Sequence, residues 1–204
     1  MVNKQPTKGR AIVKYLIVPS GVITRFRRGD IRPSEVAVCS AISTGLKFYN
    51  MGKRTGYRDV RDIAHISGLK VETARRTIAR LRRNRFLIDN GKDAFVRWKF
   101  TFDERETDDV YKDIHLRIPI NIALHKLTTD WTYKLCLGVV WNYQRLSESK
   151  RCYASNSTIG KVIGRSRWTV SRQVQIMVRA RWLHVFIEQN GLHQTRYLTV
   201  NLKG

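Results

Sequence analysis

Between Lys70 and Asn84 the apolar positions recur at a helical period. At about 100° per residue Ala74, Ile78 and Leu81 share one face, while Glu72, Thr73, Arg76, Arg80 and Arg83 share the opposite one. The same arrangement returns further along, where Val170, Val174 and Met177 form the apolar face and Trp168, Thr169, Arg172, Gln175 and Arg179 the polar one. Sliding the chain on itself by 96 residues lays 57–87 over 153–183 without a gap. Eight of these 31 positions are identical, where average residue usage gives about two by chance. The identities are Tyr57/Tyr153, Ile63/Ile159, Gly68/Gly164, Thr73/Thr169, Arg76/Arg172, Arg83/Arg179, Arg85/Arg181 and Leu87/Leu183. The chain therefore contains an internal repeat, and one unit predicts the other.

The repeat extends outward on both sides. Upstream, Tyr15–Ile23 (YLIVPSGVI) is similar to Ile114–Ala123, with Pro19 opposite Pro119. Downstream, each unit has an Asn-Gly step, Asn90-Gly91 and Asn190-Gly191, between strand-like runs. Asn-Gly predicts a hairpin closed by a type I′ turn, which needs positive φ at both central residues. Each unit thus reads as a short strand ending at proline, three helices and a closing β-hairpin. The periodicity places the helices at about 34–50, 59–67 and 70–84 in the first unit and about 130–146, 155–163 and 166–180 in the second. Gly68 and Gly164 mark the turns between the second and third helices. The expected fold class is mainly α with small β-hairpins (α+β). Its parts are a basic arm over 1–14, a unit over 15–102, an acidic linker over 103–113 and a second unit over 114–204. Asp103–Asp109 (DERETDD) is the one acidic run and the natural boundary.

Charge adds a partner class to this layout. The 204 residues carry 39 Lys plus Arg against 16 Asp plus Glu, a formal charge of +23. Such a chain repels itself unless it meets a polyanion. With 42% hydrophobic residues it has enough apolar mass for packed cores, so it is not a disordered basic tail. No run approaches the roughly 20 apolar residues of a membrane span, and the start of the chain lacks the apolar stretch of a signal peptide. The expected setting is cytoplasmic and nucleoid-associated. Cys39, Cys136 and Cys152 are widely spaced and without a CxxC pair, which predicts neither a disulfide framework nor a zinc site. Neither metal nor cofactor is expected.

A second helix, a glycine turn and a basic third helix make a helix-turn-helix, in which the start of the last helix enters the DNA major groove. Arg there reads guanine and Gln reads adenine, while other basic residues hold phosphates. No acid occurs between Glu148 and Glu188, so the second unit presents an uninterrupted basic surface. The candidate DNA contacts are Lys70, Thr73, Arg75, Arg76, Arg80 and Arg83 in the first unit. In the second they are Ser166, Arg167, Trp168, Thr169, Ser171 and Arg172. Lys92 and Arg97 in the first hairpin, and Arg196 in the second, are candidates for phosphate or minor-groove contact. Lys4, Lys8, Arg10 and Lys14 in the arm would add phosphate contacts. Trp182, Phe86 and Phe100 read as core, Trp131 and Trp141 as core or interface, and Trp168 as exposed.

The segment GRSRWTVSRQV (Gly164–Val174) resembles the helix-turn-helix core of GntR-type and MarR-type winged-helix regulators. Ser166, Arg167, Thr169 and Arg172 match the capping Ser-Arg and the Thr-Val-x-Arg helix start of those families. GLKVETARRTI (Gly68–Ile78) keeps Thr73, Arg75 and Arg76, with Lys70 and Val71 in place of Ser-Arg. The resemblance implies two tandem winged-helix domains that bind double-stranded DNA. Two such units in one chain also resemble the layout of plasmid and phage replication initiators. The chain has no Walker A, HExxH, GxSxG or His-x-His motif and few carboxylates, so an enzyme is not expected. A sequence-specific transcriptional regulator reading a bipartite site is the first expectation, a plasmid or phage replication or partition protein the alternative. Homodimerisation and further protein contacts stay open.

Overall fold

The computed structural model describes residues 15–50, 59–89, 98–100, 115–119 and 130–201. The basic arm, the acidic linker, the Asn90-Gly91 step, Lys92 and Arg97 lie outside these. The described residues form seven helices and six short strands in three antiparallel pairs, so the fold is mainly α with small β-hairpins. None of these helices is long and apolar enough to cross a membrane.

The chain enters through β1 (Tyr15–Val18), whose Leu16 and Val18 point into the core. A helix absent from the sequence expectation follows, α1 (Ser20–Arg28). Its Val22-Ile23-Thr24 run is β-branched and favours strand. At nine residues the helix is also too short for its period to stand out beside that run. Its last turn holds three basic residues, Arg25, Arg27 and Arg28. The remaining helices fall close to the expected spans. In α2 (Pro33–Asn50) proline takes the first helical position, where its missing N–H costs nothing. Glu35 then accepts from the Arg32 amide at 2.6 Å. α3 (Val60–Ser67) and α4 (Val71–Arg83) complete the helices of the first half, and β2 (Leu87–Asp89) pairs with β3 (Trp98–Phe100). Among the described residues the second half repeats this order without a counterpart of α1, as β4 (Leu116–Pro119), α5 (Trp131–Leu146), α6 (Asn156–Ile163), α7 (Arg167–Arg179) and the hairpin β5 (Leu183–Asn190) and β6 (His193–Val200).

Both α4 and α7 end in the same backbone device. Phe86 N–H reaches back to Leu81 C=O, and Trp182 N–H to Met177 C=O, each at 2.9 Å. The residue before each, Arg85 and Arg181, is left-handed at φ 58° and 61°, a place usually given to glycine. The second hairpin corrects one expectation. Asn190 pairs with His193, so the central turn residues are Gly191 and Leu192, one position later than expected. Only Gly191 has positive φ (61°), which is the type II′ pattern, because Asn190 is used to complete the ladder.

The halves are joined by their first strands. β1 pairs antiparallel with β4, matching Leu16 with Ile118, Ile17 with Arg117 and Val18 with Leu116. The outer edge of β1 is served by Thr44, which accepts from Ile17 N–H at 2.8 Å and donates to Ser40 C=O at 2.7 Å. One hydrophobic cluster runs through both halves, from Leu16, Phe26 and Val36 to Ile118, Leu135 and Ile159. Tyr15 stacks on Trp141 across the joint, ring centroids 6.2 Å apart, and Trp131 and Trp182 are buried.

A second joint ties α1 to the turn after α6. Arg165 lies over the Phe26 ring, 4.4 Å from its centroid. Gly164 ends α6 at φ 64°, and a β-carbon there would stand 2.6 Å from Arg27 Cα. Gly164→Ala therefore adds left-handed strain and a backbone clash, and should cost about 2–4 kcal/mol. Urea unfolding measures this; an unchanged midpoint would show that the α1–α6 approach is looser than drawn.

Candidate nucleic-acid interface

The face that projects from α7 is set by what the helix buries. Val170, Val174 and Met177 anchor it in the core. Ser166 caps it, accepting from Thr169 N–H at 3.1 Å, and its hydroxyl also meets the Thr169 hydroxyl at 3.0 Å. These bonds fix the first turn and half-cover Thr169. Arg167, Trp168, Arg172, Gln175 and Arg179 then stand outward, and Ser171 lies half-buried at the edge. Trp168 is 83% exposed, far more than a large aromatic is when it serves packing. No carboxylate among the described residues pairs with Arg167, Arg172 or Arg179.

α4 buries the equivalent face, Ala74, Ile78 and Leu81, together with Thr77. Lys70, Thr73, Arg75, Arg76 and Arg83 are exposed, as expected. Two features set it apart from α7. Glu72 stands where α7 has Trp168, and it engages Arg76 at 3.0 Å and Arg75 at 3.4 Å. These are exposed pairs along one helix, worth a few tenths of a kcal/mol, so they orient the arginines without holding them. In addition Lys70 precedes the helix without capping it, so a positive side chain stands beside first-turn N–H groups that no side chain at that position accepts from. That combination suits an anionic oxygen.

Arg80 departs from the expected outward set. Its Nε donates to Glu35 Oε1 at 2.7 Å and its Nη2 to Ser34 Oγ at 3.3 Å. Glu35 is buried, with its side chain 3% exposed, and the cap it supplies to α2 needs a charged partner. Arg80 supplies that charge and so braces α4 against the start of α2. Arg196 likewise turns to the protein, donating to Ala154 C=O at 3.3 Å and bracing the second hairpin.

The second hairpin carries a feature that the strand pattern alone did not announce. Phe186 stacks on Tyr197 at 5.0 Å, Tyr153 lies 5.8 Å from Tyr197, and Arg151 covers that ring at 4.3 Å while bonding Glu188 at 2.9 Å. Alternation of His184, Phe186 and Glu188 with Val185 and Ile187 signals two-faced exposure in that strand. The cysteines are core residues: all three thiols are buried, and burial raises each above the usual thiol range, Cys136 to about 12.

Arg80 and Arg172 should therefore behave differently. Arg80→Ala strands the buried Glu35 carboxylate and should lower stability by about 2–3 kcal/mol, while Arg172→Ala should stay within about 0.5 kcal/mol. Paired denaturation curves decide it, and equal effects would remove the structural role of Arg80. No protein-family model matches the sequence, and neither does any curated protein.

Proposed function

We propose that the chain is a sequence-specific double-stranded DNA-binding protein made of two winged helix-turn-helix units, with α4 and α7 as the reading helices. The observation that carries this is the outward face of α7. An almost fully exposed Trp168 stands there beside Arg167 and Arg172 on a helix locked by its cap and by a buried opposite face. A tryptophan held this far out of the core is available to a partner surface, and a thymine methyl group is the apolar feature of the major groove. The arginines supply guanine or phosphate contacts in the same patch. A basic outward face recurs on α4, with Arg76 at the place of Arg172, and the formal charge of +23 suits a polyanionic partner.

A transcriptional regulator that binds a bipartite site is the reading this supports best. The fusion of both units into one core favours a second reading, a replication or partition protein of a plasmid or phage. The two differ in where the site lies, at a promoter or within an origin. Selection of bound duplexes from a random pool at about 150 mM salt should enrich a bipartite motif, because that salt screens non-specific attraction. Arg172→Ala and Arg76→Ala should each weaken binding to that motif by about 1–3 kcal/mol and barely change binding to random duplex. Equal losses on both would make these arginines phosphate clamps, and failure to enrich any motif would sink the reading.

A further inference from the structure

Resting on that reading, the strand register carries a statement about the layout of the DNA site. We infer that one molecule presents α4 and α7 as a pair related by a twofold axis, and so takes an inverted pair of unequal half-sites at one fixed separation.

Aligning Pro19 with Pro119 makes Leu16 equivalent to Leu116, Ile17 to Arg117 and Val18 to Ile118. The ladder pairs Leu16 with Ile118, Val18 with Leu116 and Ile17 with Arg117. Exchanging the two strands therefore reproduces the same ladder, and the axis of exchange passes between Ile17 and Arg117. This is the self-complementary contact of a symmetric dimer, here made within one chain. Parallel strands, or a register shifted by one residue, would have lacked this property.

The axis extends beyond the strands because each strand carries its unit in the same way. α2 packs on β1 as α5 packs on β4. α3 and α4 contact α2 and each other as α6 and α7 contact α5 and each other, and each hairpin follows directly from its third helix. Gly68 and Gly164 are left-handed at the same turn, as are Arg85 and Arg181 at the next. α2 and α5 also touch at the joint itself. An operation that exchanges β1 with β4 thus exchanges α4 with α7.

A duplex has its own twofold axes across its length, so a twofold pair of reading helices meets equivalent groove positions only when the half-sites are inverted. Two joints hold the separation, the β1–β4 ladder and the α1 contact on Gly164, within one continuous core. The halves of the site differ because Glu72 faces one and Trp168 the other. An exposed glutamate favours a cytosine amino group and the tryptophan a thymine methyl, so the molecule binds in one orientation.

The test uses the full chain and the half-sites that duplex selection enriches, rebuilt as inverted, direct and everted pairs. The inverted pair should bind at least tenfold tighter than either other arrangement, as one protein per duplex. Inserting five base pairs, about half a helical turn, should abolish the advantage of the second half-site. Equal or tighter binding to the direct pair, or two proteins on one inverted site, overturns the inference. A separate readout needs no DNA. The Ile17 N–H points away from β4 to Thr44, which makes Ile17/Arg117 a non-hydrogen-bonded pair, the closer kind in an antiparallel ladder. The double variant Ile17→Cys, Arg117→Cys should form an intrachain disulfide, seen as a mobility shift under non-reducing conditions. A disulfide without any enriched motif would leave the symmetry and overturn DNA reading; a motif without the disulfide would overturn the symmetry.

Discussion

The ladder between β1 and β4 is four residues long on each side, and two strands alone are marginal in water. It holds because both strands are buried on their inner face and because the outer edge of β1 is satisfied by a helix hydroxyl. Leu16, Val18, Leu116 and Ile118 have no exposed surface, so separating the strands would open the centre of the core. Gly138 on α5 fits the same constraint, since a β-carbon there would lie 2.9 Å from Ile118. The positions of α4 and α7 follow from this joint. α4 rests on α2 and α7 on α5, and α2 and α5 each rest on one strand of the ladder.

The two outward faces have diverged within one framework. α7 offers an aromatic ring and arginines that no carboxylate among the described residues pairs with. α4 offers arginines bridged by a glutamate and a lysine-led first turn without a side-chain cap. Under the proposed function the second half contributes more apolar reading and the first more charge. Arg80 shows how far this division goes, because its equivalent in α7 is Ile176, where no buried carboxylate has to be balanced. A basic residue on a helix face is available to a partner only when no buried acid has prior claim on it.

What the sequence reveals here depends on the range of the interaction. The spans of α2 to α7, the buried triads of α4 and α7 and the exposure of Trp168 follow from periodicity and capping, which act within a few residues. α1 escaped because it is only nine residues long and carries a β-branched Val22-Ile23-Thr24 run that favours strand, although Gly29 marks its end in the left-handed conformation. The turn at Gly191 was misplaced by one residue because Asn-Gly suits either a two-residue turn or the end of a ladder. Only strand pairing decides between them. The inward turn of Arg80 needed a partner 45 residues away, Glu35, and no local pattern reports such a pairing. The β1–β4 joint was visible as two similar strands, while their pairing with each other is a long-range fact.

Sharing one core also sets how the two halves can change. Two separate domains on a linker lose and regain structure independently, and each tolerates its own destabilising changes. Here residues such as Phe26 and Arg165 belong to opposite halves yet form one contact, so damage to either half is transmitted to the other. The interior is bound to evolve as one unit, with each substitution judged by both halves. The outward residues of α4 and α7 escape that coupling, because they contribute little to packing. A fused pair of this kind can therefore revise the two parts of its outward surface separately while its architecture stays fixed.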